Sequence, residues 1–133
     1  MRNSNTNAEA KRILVVEDEL SIRRIFSETL NSEGFEVHVA ANGVQAESKL
    51  NERDYDLFII DIKMPEMNGM ELYEEMDKKC SELADHTVFT SGDVIGEETE
   101  LFLRKTGAPL LAKPFNSDEL ITIVKETLRR IEK

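Results

Sequence analysis

The sequence predicts an α/β domain, a parallel sheet wound on both faces by helices, and three observations carry that reading. Short continuous apolar runs recur along the 133-residue chain, segments at helical spacing fall between them, and the second run alternates where others are continuous. Continuous runs suit strands buried on both faces, and repeated βα units imply a parallel sheet with helices on either side.

The elements follow in order. Ile13-Leu14-Val15-Val16 is the first continuous run, and Leu57-Phe58-Ile59-Ile60 is the third strand. Between them, Phe35-Glu36-Val37-His38-Val39 alternates apolar with polar, so only one of its faces is covered and it belongs at a sheet edge. Thr87 to Thr90 and Leu110-Leu111-Ala112 complete five strands. Ile22, Ile25, Phe26 and Leu30 form a helical stripe that Gly34 stops. Val44 to Leu50, Met67 to Met76 and Ile95 to Leu103 are weaker amphipathic stretches. The last helix is the clearest: Asn116 with Glu119 reads as a capping box, ahead of Leu120, Ile121, Val124, Leu128 and Ile131. An alternating second strand at an edge favours the doubly wound order 2-1-3-4-5.

Composition narrows the function. Acids outnumber bases 27 to 17, a formal charge of -10, which argues against a nucleic-acid surface because phosphate binding needs a basic stripe. No apolar run approaches the length of a membrane span. A lone Cys80 forms no internal disulfide and fits a reducing cytosol, and hence a cytoplasmic protein. The first residues are polar and lack the apolar segment of a signal peptide, so residues 1–10 read as a leader or linker.

In open α/β sheets ligands bind beyond the carboxyl ends of the strands, near the switch in strand order. The first strand ends in Glu17-Asp18-Glu19, the third in Asp61, the fourth in Thr90-Ser91-Gly92 and the fifth in Lys113-Pro114. Glu17, Asp18 and Asp61 offer hard oxygen ligands suited to Mg²⁺. With a metal offsetting charge repulsion, Asp61 can attack phosphorus, Lys113 can neutralise phosphoryl oxygens and a hydroxyl can hydrogen-bond to them. Taken singly, each residue has a plainer reading: acids exposed in a loop, an aspartate opening the turn at Met64-Pro65, a lysine before a helix, a Ser-Gly turn. Together they would have to fall at the right strand ends by accident. Because successive strand side chains point oppositely, only one of Thr90 and Ser91 can face the phosphoryl group.

These residues resemble the receiver domain of bacterial two-component response regulators, over roughly Lys11 to Lys133. The acidic pair corresponds to Glu17 and Asp18. The phosphorylated aspartate, in an Asp-x-x-Met-Pro pattern, corresponds to Asp61 in Asp-Ile-Lys-Met-Pro, with Gly69 following. A Lys-Pro-Phe pattern corresponds to Lys113-Pro114-Phe115. The resemblance implies a flavodoxin-like (βα)5 three-layer sandwich spanning 11–133. It also implies Ser91 rather than Thr90 as the hydroxyl, Lys63 giving its backbone carbonyl to Mg²⁺ (with Mn²⁺ or Ca²⁺ as substitutes), and a cis Lys113-Pro114 bond. The expected partner is a histidine kinase or histidine phosphotransfer domain docking on the first helix near Ile22, Arg23 and Phe26. The chain would be a monomer or a weak phosphorylation-linked dimer, a regulatory phosphoacceptor rather than an enzyme.

Two features bear on variation within that family. Leu110 stands where an aromatic switch residue is common, which leaves aromatic-coupled switching in doubt. Lys63 and Asp93 flank the site and are expected to pair across it, slowing loss of the phosphoryl group. The Ser91-Gly92-Asp93 and Thr106-Gly107-Ala108-Pro109 segments look similar to receivers attached to hybrid histidine kinases. A phosphatase of the haloacid-dehalogenase type uses similar groups but needs a second aspartate after its nucleophile on the first strand; here that strand ends Glu17-Asp18-Glu19-Leu20. A docking module that keeps the fold without the chemistry is the remaining alternative. His38, His86 and Cys80 read as quiet, and Met64, Met67, Met70 and Met76 as fillers of core and loop gaps.

Overall fold

A computed structural model describes residues 10–64, 67–79, 85–92 and 95–131. The elements are β1 (Arg12–Val16), α1 (Leu20–Ser32), β2 (Glu36–Ala40), α2 (Gly43–Glu52), β3 (Leu57–Asp61), α3 (Gly69–Lys79), β4 (Thr87–Ser91), α4 (Glu97–Thr106), β5 (Leu110–Ala112) and α5 (Ser117–Ile131). All strand pairs are parallel, in the order β2-β1-β3-β4-β5, as the sequence predicts.

The strands divide their side chains between two cores. Leu14, Val16, Phe58, Ile60 and Phe89 face a cluster completed by Ala46, Leu72, Tyr73 and Met76 from α2 and α3. Ile13, Val15, Leu57, Ile59, Val88 and Leu111 face the opposite cluster, completed by Phe26 and Leu30 from α1 and Leu120, Val124 and Leu128 from α5. This is why the inner strands read as unbroken apolar runs: each alternate residue is buried on one side or the other. Phe26, Phe58 and Phe89 are fully buried, each worth roughly 2–3 kcal/mol of hydrophobic stabilisation. Phe89, Tyr73 and Phe102 pack as a ring trio with centroids 5.4 to 5.6 Å apart. Leu110 packs on the same core without a ring of its own.

Edge strand β2 sends Val37 and Val39 into the α1/α5 core. Its polar face is organised: Glu36 accepts from Arg12 Nε at 2.8 Å and contacts His38 Nε2 at 2.7 Å, and His38 Nδ1 meets the Tyr55 hydroxyl at 2.9 Å. At the start of α5, the Asn116 carboxamide accepts from the Glu119 N–H and the Glu119 carboxylate accepts from the Asn116 N–H, the capping box read from the sequence. The same reciprocal pair forms between Asn68 and Glu71 at α3, and Asn42 caps α2 through the Gln45 N–H. Gly34 follows α1 with a φ of +93°, a conformation that only glycine adopts cheaply.

Two side-chain placements correct the sequence reading. Ile25, expected on the core stripe of α1, is 46% exposed. The stripe of α1 runs Ile22, Phe26, Leu30 at intervals of four; Ile25 lies about 100° away around the helix. Phe26, offered as a docking residue, is fully buried and cannot serve. Of the methionines, Met64 and Met76 are core residues and Met67 packs against the core. Cys80, Pro65 and the residues of the leader before Ala10 lie outside the described residues.

Candidate functional site

The site sits where the chain leaves the C-terminal ends of β1, β3, β4 and β5. Loops there are tied down by backbone bonds across the sheet: Glu17 N–H to Ala40 O at 3.0 Å, Ile62 N–H to Thr90 O at 2.9 Å, and Lys113 N–H to Ser91 O at 2.9 Å. The loop after β3 returns at Gly69, whose N–H donates to Ile62 O at 2.8 Å. A Cβ at Gly69 would lie 2.4 Å from the Asp61 carbonyl oxygen and 2.8 Å from Ile62 Cα, so only glycine permits this approach beneath the aspartate.

Glu17, Asp18 and Asp61 converge, with one carboxylate oxygen from each within 4.8 Å of the others. Glu17 and Asp61 are buried and Asp18 is exposed. Lys113 reaches over from the fifth strand, its Nζ 2.8 Å from Glu17 Oε1 and 3.3 Å from Asp61 Oδ2. Its stem runs beside Gly92, where a Cβ would lie 3.5 Å from Lys113 Cδ. The second oxygen of each buried acid is held by a nearby amide: Glu19 N–H to Glu17 Oε2 at 3.1 Å and Lys63 N–H to Asp61 Oδ1 at 3.2 Å. Lys113-Pro114 is cis, as the resemblance implies.

Three carboxylates against one ammonium leave the cluster short of positive charge. Burial pushes the Glu17 carboxyl up to about 7, against the hydrogen bonds from Lys113 and Glu19. Burial likewise raises Asp61, partly offset by the Lys113 charge and the Lys63 N–H. Burial works to lower Lys113, but its bond to Glu17 and the charge of Asp61 outweigh it and hold the ammonium above its ordinary range. A donor set of two buried carboxylates, one exposed carboxylate and nearby backbone carbonyls fits a hard divalent cation of the Mg²⁺ kind, which takes oxygen ligands and keeps several waters. Such a cation would favour the charged form of both acids, against the burial that raises them.

The structure thus brings Glu17, Asp18, Asp61 and Lys113 together, with Lys63 beside them. Thr90 is the register partner of Asp61, and Ser91 follows it as the last residue of β4. Both hydroxyl residues are buried. Asp93 lies outside the described residues. Arg23, expected at a docking surface, is partly exposed and also bonds within the chain: its Nη1 donates to the backbone carbonyls of Glu17 at 2.8 Å and Asp18 at 3.0 Å. It fixes the acidic loop from the first helix, a role that no sequence pattern announces.

Comparison with known proteins places this geometry. The profile of the response regulator receiver domain matches residues 13–125. The chain belongs to the response regulator receiver family. The receiver is 35% identical over 122 residues to sporulation initiation phosphotransferase F of Bacillus subtilis, covering 89% of this chain and 94% of that protein. It is 37% identical over 119 residues to the transcriptional regulatory protein CpxR homolog of Haemophilus influenzae, covering 90% of this chain. The receiver spans about half the length of that relative and of the probable transcriptional regulator ycf27 of Cyanophora paradoxa. Among solved structures, a CheY-like receiver domain protein from Methanospirillum hungatei superposes with a TM-score of 0.85 at 31% identity, over 93% of this chain and 98% of that one. Vibrio cholerae CheY4 superposes with a TM-score of 0.80 at 29% identity, over 89% and 98%. The receiver is therefore a two-component signalling domain with a CheY-like, flavodoxin-type fold, and its function is phosphoacceptor signalling. None of the described helices is long and apolar enough to cross a membrane.

Proposed function

We propose that Asp61 is the phosphoacceptor of this receiver and that Glu17, Asp18, Asp61 and the Lys63 carbonyl hold Mg²⁺ beside it. The observation that carries the reading is the meeting of a buried Asp61 with Lys113 at 3.3 Å inside a three-carboxylate cluster. A bound divalent cation supplies charge neutralisation for the phosphoryl oxygens. An Asp61 carboxylate oxygen attacks phosphorus. The bond from phosphorus to the donor's leaving group breaks, and that group departs with the electron pair. The Lys63 N–H on Oδ1 steadies the other oxygen of the nucleophile. Lys113, already placed against the acceptor, follows the negative charge onto the phosphoryl group. Ser91, one step beyond the register partner of Asp61, donates its hydroxyl to a phosphoryl oxygen.

On this reading the receiver is a regulatory phosphoacceptor that assists its own phosphorylation and dephosphorylation, in the cytoplasm. Its donor is a histidine kinase or histidine phosphotransfer domain. Leu20 and Ile25 of α1, 54% and 46% exposed, are the apolar contacts that helix offers, in place of the buried Phe26. Attachment to a hybrid histidine kinase is the context suggested by the Ser91-Gly92 and Thr106 to Pro109 segments. The test is labelling by a small-molecule phosphodonor with Mg²⁺, comparing wild type with Asp61→Asn. Wild type takes the label and the variant does not; equal labelling of the two sinks the proposal.

A further inference from the structure

The sheet face toward α1 and α5 is mostly apolar, and where Thr127 of α5 buries a hydroxyl there it is paired, donating to the Ile123 carbonyl at 2.7 Å. Thr90 is 1% exposed, and its Oγ1 has no hydrogen-bond partner. Its side chain shares a face of the sheet with Val88, two residues before it, and with Leu111 and Asp61, its register partners on the strands to either side. Valine has nearly the shape of threonine and would fill the same space without stranding a hydroxyl in it. The large majority of buried side-chain hydroxyls have a hydrogen-bond partner, so an unpaired one calls for a reason.

The reason lies one strand away. Register partners on neighbouring strands stand about 4.8 Å apart, and side chains on the same face project side by side. A threonine has only a few χ1 positions, and one step between them exchanges its methyl for its hydroxyl. Asp61, on that same face, accepts one bond from Lys63 N–H at 3.2 Å and one long bond from Lys113 at 3.3 Å. A carboxylate has acceptor capacity for about four. When Lys113 moves onto an incoming phosphoryl group, Asp61 Oδ2 loses its donor while Lys63 N–H still holds Oδ1.

We infer that Thr90 is a second hydroxyl of the site, distinct in role from Ser91: it donates to the side-chain oxygen of Asp61 and orients the nucleophile, rather than binding the phosphoryl group. The inference rests on Asp61 being the acceptor, and it assigns the two neighbouring hydroxyls to two different oxygens. Ser91 at the strand end serves the transferred group; Thr90, level with Asp61, serves the carboxylate that receives it.

Thr90→Val and Thr90→Ser decide the matter. Initial rates of phosphorylation by a small-molecule donor at saturating Mg²⁺ are measured beside thermal unfolding. The ¹³C resonance of the Asp61 carboxyl carbon is also measured in metal-free protein. The expected result is a rate three- to tenfold lower in Thr90→Val, with thermal unfolding close to that of wild type. The Asp61 carboxyl resonance shifts in Thr90→Val, and Thr90→Ser restores both rate and resonance. A wild-type rate and resonance in Thr90→Val overturn the inference. So does a slow rate that Thr90→Ser fails to rescue. A wild-type protein that takes no label overturns the phosphoacceptor reading instead; the carbon resonance still reports whether Thr90 bonds Asp61.

Discussion

Without a divalent cation, this protein should lose stability as pH rises from 5 to 8, against the usual trend for proteins rich in paired carboxylates. Glu17 carries the effect. Its carboxyl has an ordinary value of 4.5 and is pushed up to about 7 by burial in the fold. Between those values the native state holds a proton that the unfolded chain has released, so stability falls with rising pH. Moving one carboxyl over that interval corresponds to roughly 3 kcal/mol, at about 1.4 kcal/mol per pH unit. Asp61, raised from 3.8, adds to the effect with the same sign. Glu36 is lowered by its bond to Arg12, so its stabilisation is present above 4.5 and is lost only at more acid pH. Lys113 is raised above 10.5, so its contribution is intact throughout the window. Urea unfolding in a chelator at pH 5, 6, 7 and 8 measures the slope. Glu17→Gln should flatten it, and Mg²⁺ at about a hundred times its dissociation constant should return close to 3 kcal/mol at pH 8. A metal-free stability that is flat or rises across the window, or a slope unchanged in Glu17→Gln, would refute the reasoning.

Gly69→Ala drives a Cβ into backbone atoms of Asp61 and Ile62, and should cost about 1–3 kcal/mol. A thermal scan would show a loss of several degrees, and phosphorylation should fall with it; an unperturbed melting temperature would mean that the β3 loop yields. Lys63→Ala and Asp93→Ala should each shorten the acyl-phosphate lifetime, by up to about fivefold if the pair is worth ~1 kcal/mol as exposed pairs can be. Unchanged lifetimes in both would remove that pair from the account.

Much of this architecture was legible because each strand advertises its surroundings. Ile13 to Val16 and Leu57 to Ile60 are apolar at every position because helices cover both faces. Phe35 to Val39 alternates because it does not have that cover. The site was legible for a related reason: an acid pair, an aspartate, a hydroxyl and a lysine all stand at strand ends, and the topology collects strand ends. The misreadings have a physical cause as well. Helical periodicity gives the direction of an apolar stripe but not its width, so Ile25 reads as inward when it stands outside the stripe. The Asn68-Glu71 cap has the same spacing as the one at Asn116 and was overlooked beside the Met-Pro loop. The bonds of Arg23 to the carbonyls of Glu17 and Asp18 are local, but they follow from how the loop after β1 turns into α1, which no residue pattern states. That Thr90 buries an unpaired hydroxyl depends on packing between strands distant in sequence.

The Lys113–Glu17 contact joins residues 96 positions apart, and it cannot form until the last strand lies beside the fourth. A nascent or truncated chain lacking Lys113 would carry Asp61 and the acid pair without the ammonium that bridges them. If Asp61 is the acceptor proposed above, its chemistry then waits on closure of the whole domain.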